Sequence, residues 1–177
     1  MLRRVIAFGF ALVTAAGLTS AARAEEEAKA DKDTKVEAGK EFKLTPVEVT
    51  PAEKPEDDGR YEATVKAAKE TKKVKMPAEV WELGFVPKAV KGGGVAVAET
   101  TDGSALKQMR TEAGKEDGSW MADPDDVITH VNGYAVNSVE EILVAVSTAK
   151  KKDDVQLVIK DVNTGKLTIF YVTATKR

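Results

Sequence analysis

Cysteine is missing from all 177 residues. Its absence excludes disulfides and excludes a lipid-bearing cysteine at a cleavage site. Histidine is scarce as well. The only one, His130, lies between Thr129 and Val131 with no nucleophile near it in sequence, so it reads as a tolerated sheet residue rather than a member of a Ser, His and Asp constellation. No Walker loop, dinucleotide fingerprint or paired-carboxylate cleft is present. Gly92-Gly93-Gly94 lacks the Lys-Ser or Lys-Thr and the helix that a phosphate cradle requires, and it reads as a hairpin turn. Asp123, Asp125 and Asp126 cluster, but without the number and spacing of oxygen ligands that a calcium loop uses. The expectation is a protein that is not an enzyme and takes no cofactor and no metal. An excess of basic charge is lacking too: 27 Lys and Arg stand against 29 Asp and Glu, and the C-terminal half holds no basic patch. Nucleic acid, whose binding rests on many Lys and Arg contacts to phosphate, is not an expected partner.

What is present begins with a leader. Arg3 and Arg4 precede an apolar run from Val5 to Leu18, and small residues close it at Ala22-Arg23-Ala24. This is the pattern of a secretory signal peptide, residues 1–24, cleaved after Ala24. The run falls short of the ~20 residues of a membrane span, so the expected product is periplasmic or secreted, with no stable membrane anchor. Losing three arginines and no acidic residue leaves that product more acidic than the formal −2 of the whole chain.

Residues 25–75 are rich in Lys, Glu, Asp, Ala, Pro and Thr and poor in aliphatic residues, the composition of a charged linker, mostly disordered. Within it, Phe42 to Val49 alternates at strand period, though Pro46 weighs against a strand, and Arg60 to Lys72 has a weak helical pattern. Residues 76–177 carry the globular pattern. Strands are predicted at Phe85 to Val90 and Val95 to Glu99 around the glycine turn, at Val127 to Val131 before the Asn132-Gly133 turn, and at Val155 to Lys160 and Leu167 to Thr173 around Asn163-Thr164-Gly165. Two helices are predicted. One runs from Ala105 to about Glu112 behind Ser104; the other runs to about Ala149, with Ser138 and Glu141 as its capping box.

Leu83-Gly84-Phe85, Gly94-Val-Ala-Val-Ala-Glu99, Asp102-Gly103-Ser104, Asp126-Val-Ile128, Val131-Asn-Gly133 and Ser138-Val-Glu-Glu-Ile142 follow one another in an order that matters more than any one of them. From Trp81 to Thr173 the chain resembles the PDZ domains found after the catalytic domain in high-temperature-requirement serine proteases, here without room for that catalytic domain. The resemblance implies an α+β fold: a PDZ-like small β-barrel or sandwich of five to six strands with two helices, preceded by a disordered tail. It also implies a groove. In that family the backbone N–H groups of the loop, here Leu83, Gly84 and Phe85, hold a ligand's C-terminal carboxylate, and the ligand adds as a strand beside Phe85, Val86 and Pro87. Val139, Ile142, Leu143 and Val146 form an apolar helix stripe. By the family's register Ile142 faces the core, while Val139, Leu143 and Val146 lean toward the groove.

Two departures stand out. Pro87 has no N–H to offer an incoming strand, which predicts weaker peptide engagement; it also suits an edge protected from aggregation. The segment from Thr111 to Pro124 is longer than the usual link, and Asp125 replaces a usual glycine. That segment carries Trp120 and Met121, which either pack on the core, cover the groove mouth or form a candidate partner loop. The expected function is an exported binding module for C-terminal or extended peptide segments of other envelope proteins. The alternatives are an assembly component with a closed groove, acting through the Trp120 loop or the charged tail, and an accessory subunit that presents substrates to a separate envelope protease.

Overall fold

The computed structural model describes residues 36–68, 70–115 and 120–177. The predicted signal peptide and residues 25–35 of the predicted linker lie outside them. Among the described residues the strands are β1 Glu41–Pro51, β2 Tyr61–Ala67, β3 Lys72–Lys75, β4 Trp81–Glu82, β5 Phe85–Ala89, β6 Val95–Thr100, β7 Val127–Val131, β8 Tyr134–Ala135, β9 Val155–Lys160, β10 Leu167–Val172 and β11 Thr175–Lys176. One α-helix, α1 Val139–Ser147, completes the set, with a single 3-10 turn at Ala105–Lys107. No helix here is long and apolar enough to cross a membrane.

The expected α+β fold with two helices is therefore wrong. The described residues are mostly β, 43% strand against 9% helix, and six strands close into a barrel. The ring is antiparallel throughout and runs β1, β2, β10, β9, β7, β8 and back to β1. β3 joins it at the start of β1, and β6 and β5 extend it beyond β7. The short pair β4 and β11 stands apart as a second sheet.

The expected disordered tail is overturned with it, because β1, β2 and β3 come from that charged segment. Strand alternation needs only every second residue to be apolar. In β1 Leu44 is fully buried while Glu41 and Lys43 are exposed, and in β2 Ala63 is buried between exposed Glu62 and Thr64. Pro46 sits where β1 changes partner, from β3 at Leu44 to β2 at Val47. Its carbonyl accepts from the Ala68 N–H at 2.9 Å, so the missing donor interrupts no continuous ladder. The weak helix expected from Arg60 is strand β2 instead.

The other missing helix is the one expected at 105–112. Ser104 does cap, its Oγ accepting from the Leu106 N–H at 3.1 Å. The turn then stops at Gln108, and Met109, 1% exposed, bridges to Trp120 while Arg110 bridges to Tyr171. These long-range backbone pairs displace the helix that local propensity favours.

Helix α1 is part of the core. Ile142 through Ser147 are all buried, a continuous run rather than a single face. Ser138 Oγ accepts from the Glu141 N–H at 3.2 Å, and the Glu141 carboxylate accepts from the Asn137 N–H at 2.7 Å. At the far end the Lys152 ammonium donates to the carbonyls of Val146, Ser147 and Ala149, compensating the negative end of the helix. Desolvation lowers the Lys152 pKa, a cost that the three carbonyls offset. Ser138→Ala is expected to destabilise the fold by about 1 kcal/mol, read as a lower denaturant midpoint at unchanged slope.

Candidate functional site

The loop Leu83-Gly84 joins β4 to β5, and its carbonyls are pinned from behind. Leu83 C=O accepts from Ser104 Oγ at 3.0 Å and from the Ala105 N–H at 2.9 Å. Gly84 C=O accepts from Thr101 Oγ1 at 2.8 Å and the Thr101 N–H at 3.0 Å. A trans peptide holds its C=O and N–H on opposite sides. The Gly84 and Phe85 N–H groups therefore point away from the Thr101 to Ala105 turn. The Glu82 carbonyl faces β11, where Thr175 pairs with Glu82, so the Leu83 N–H points away from β11 by the same rule.

Gly84 has φ +71°, a left-handed conformation suited to glycine. A Cβ there would meet the Ser104 Cα and Thr101 Oγ1, each at 3.1 Å. The Asp102-Gly103-Ser104 motif thus acts locally, carrying the turn that aims the loop's amides.

Those amides open onto a cleft of about 270 Å³ lined by Glu82, Leu83, Gly84, Phe85, Pro87, Thr101, Val139, Ile142, Leu143 and Arg177. The opposite wall belongs to α1, tied to β4 where the Trp81 N–H donates to Ser147 Oγ at 2.8 Å. The Lys152 ammonium lies 5.8 Å from the centre of the Trp81 ring. Together these contacts fix the distance between loop and helix.

β5 is the terminal strand of its sheet, so its outer backbone edge has no strand partner among the described residues. The bond from the Thr101 N–H to Gly84 makes Phe85–Thr100 a pair whose own N–H and C=O groups turn outward. Val86 turns inward toward Glu99; the register then shifts at a bulge that leaves Ala98 of β6 unpaired, so β5 itself keeps its alternation and Pro87, opposite Val97, turns outward. The edge therefore offers the N–H and C=O of Phe85 but only the C=O of Pro87.

Of the expected groove residues, Leu83, Gly84, Phe85, Pro87, Val139 and Leu143 come together at the cleft. Val86 and Val146 do not line it. Val146 is fully buried, and Leu143, at 4% exposed, contributes to the floor much as Ile142 does. The apolar stripe of α1 thus serves the core first. Val139 is the helix residue that remains partly exposed beside the loop. Glu82, Thr101 and Arg177 escaped the sequence reading, because no local pattern links residues that far apart.

Trp120 lies on the barrel, away from the cleft. Its ring is tilted against Phe170 with centroids 6.3 Å apart, and the Arg60 guanidinium covers it at 4.9 Å. Met121, 64% exposed, projects beside it. Asp125 adopts φ +70°, so the turn of a usual glycine is kept by a residue type that tolerates this region.

Neither a protein-family model nor a curated protein matches the sequence. What the site can do rests on its own chemistry. Asp126, in the acidic cluster, is buried and accepts from the N–H groups of Asp123 at 2.9 Å and Val162 at 3.0 Å. Desolvation raises its pKa against these bonds, so it serves as a structural tie between the 123–126 loop and the turn after β9. His130 is half-buried in β7, where burial lowers its pKa and its Nδ1 lies 2.9 Å from Thr129 Oγ1. Among the described residues, no three His, Cys, Asp or Glu side chains gather as metal ligands.

Proposed function

We propose that this protein is an exported, non-catalytic peptide-binding module whose cleft takes the free C-terminus of another envelope protein, in the manner of the PDZ domains its motifs resemble. The observation that carries this reading is the aim of the loop: pinned carbonyls turn the amides of Gly84 and Phe85 off the supporting turn and that of Leu83 off β11, beside an unpaired strand edge. Converging amides make an anion site. The strand edge gives an extended chain somewhere to pair. Delivery of captured chains to a separate envelope protease is one use consistent with such a module. The assembly reading through Trp120 is less favoured, since that ring is already occupied by Phe170 and Arg60.

The test is a titration of the full chain with short fluorescent peptides ending in Ala, Val, Leu or Phe, each with a free and an amidated terminus. Free peptides are expected to bind and amidated copies to lose most affinity. Equal binding of both forms, or no binding by folded protein, would reject the cleft mechanism. The same titration tests Pro87. Pro87→Ala restores one outward N–H, worth about 0.5–1.5 kcal/mol, and is expected to tighten binding by roughly two- to tenfold.

A further inference from the structure

We infer that His130 makes the closing of the barrel depend on pH: its neutral ring fits the seam where β1 joins β8, and protonation weakens that seam. Directly paired residues of antiparallel strands project to the same side of a sheet. His130 pairs with Val158 of β9 and with Ala135 of β8, and Ala135 pairs in turn with Thr45 of β1. Val158 belongs to the second apolar cluster, with Ala63 and Ile169, and Val49 and Val65 pack against them. The half-buried imidazole thus lies on the side that this cluster occupies, beside the short contact of β1 with β8 that completes the ring of strands.

The hydrogen bonds assign its tautomer. Thr129 Oγ1 donates to the Val158 carbonyl at 3.0 Å, so toward His130 Nδ1, 2.9 Å away, the hydroxyl acts as acceptor. Nδ1 therefore carries the proton of the neutral ring, and Nε2 is the atom that takes a second one. Nε2 has no hydrogen-bond or ion-pair partner among the described residues. The charged groups on this face of the neighbouring strands are Glu41 and Lys43 of β1, Lys73 and Lys75 of β3, and Lys160 of β9. The one carboxylate, Glu41, is already engaged by Lys73 and Lys75 at 3.8 and 3.9 Å. The rest are cations, which oppose an imidazolium rather than compensate it. Glu48 and Lys66 pair with each other on the opposite face.

Burial holds the His130 pKa below its ordinary 6.5. The folded ring binds its proton less readily than the unfolded one, so this contribution to stability is full above about pH 6.5 and is lost as the pH falls through that value. The sign separates it from the carboxylates. Asp126, whose pKa is raised, stabilises the fold as the pH falls, while Asp58, Glu79 and Asp161, whose pKa values are lowered, act only below the ordinary carboxylate range. With a single histidine in the chain, a loss of stability just below neutrality belongs to His130.

The test measures denaturant midpoints of the full chain from about pH 7.5 down to about pH 5.5, a window centred on the free imidazole pKa. The wild-type midpoint is expected to fall across this window at unchanged slope, and His130→Gln, which takes no proton, is expected to lose most of that fall. Ala135→Asp places a carboxylate opposite the ring and is expected to reverse the dependence, stability then declining as the pH rises through a raised His130 pKa. NMR of the one imidazole reads the same linkage in wild type alone, as a folded pKa below that of the denatured chain. A flat wild-type midpoint, an equal fall in wild type and His130→Gln, or an unreversed dependence in folded Ala135→Asp overturns the inference. So does a folded ring pKa at or above the denatured one, a result that decides the matter even if neither variant folds.

Discussion

A fragment that begins at Met76 will not fold. The composition of residues 25–75 invites that truncation, yet β1 and β2 are two of the six strands that close the barrel. Removing them opens β10, which pairs with β2, and β8, which pairs with β1. It also removes Leu44 from the main core and Ala63 from the second apolar cluster, where it packs with Val158 and Ile169. Each fully buried large apolar side chain is worth about 1.5–3 kcal/mol, against a net stability of about 5–15 kcal/mol for a typical domain. The loss of β1, with β3 paired to it, further exposes Met76, 2% exposed in the intact chain. The expected result is a fragment with no cooperative thermal transition and amides that exchange freely, where the full chain shows one transition and protected strands. A cooperative transition at the full chain's temperature would show that the barrel does not need these strands.

The sequence was readable where its signals are local. The C-terminal elements carry strong ones: Asn132 and Gly133 both adopt positive φ, at 49° and 74°, as a tight Asn-Gly hairpin turn requires. Ser138 and Glu141 mark the start of α1 in the sequence and cap it in the structure. The N-terminal strands carry no such punctuation. Their exposed positions include Lys and Glu, so average composition conceals the apolar residues that pack inward, Phe42, Leu44 and Val49 in β1 and Ala63 and Val65 in β2. The segment from Ala105 failed for a different reason: its fate depends on Trp120 and Tyr171, distant residues whose backbone bridges replace a helix. The loop Leu83-Gly84-Phe85 was legible because its residue types have a local conformational cause. The placement of Glu82 and Arg177 together was not, since it depends on β4 pairing with β11.

Leu143→Arg is expected to unfold the protein, whereas Val139→Arg is expected to keep the fold and lose binding. From sequence the two positions look alike, one turn apart on one apolar stripe. The structure separates them. Leu143 is 4% exposed within the run Ile142 to Ser147 and packs in the main core, so an arginine there is a buried charge without a partner. Breaking a buried charge balance in this way costs about 3–5 kcal/mol, and the lost apolar packing adds to it. Val139 is only partly buried, at the first position of α1 after the Ser138 cap, where a long side chain can extend into solvent past the cleft. Its substitution is expected to change stability by less than about 1 kcal/mol, while the added bulk obstructs a chain lying between β5 and the helix. Denaturation midpoints and peptide titrations on both variants check the pair. A stable Leu143→Arg protein would mean that α1 can turn its stripe outward, widening the cleft, and that helix and loop are not held as the bond from Trp81 to Ser147 implies.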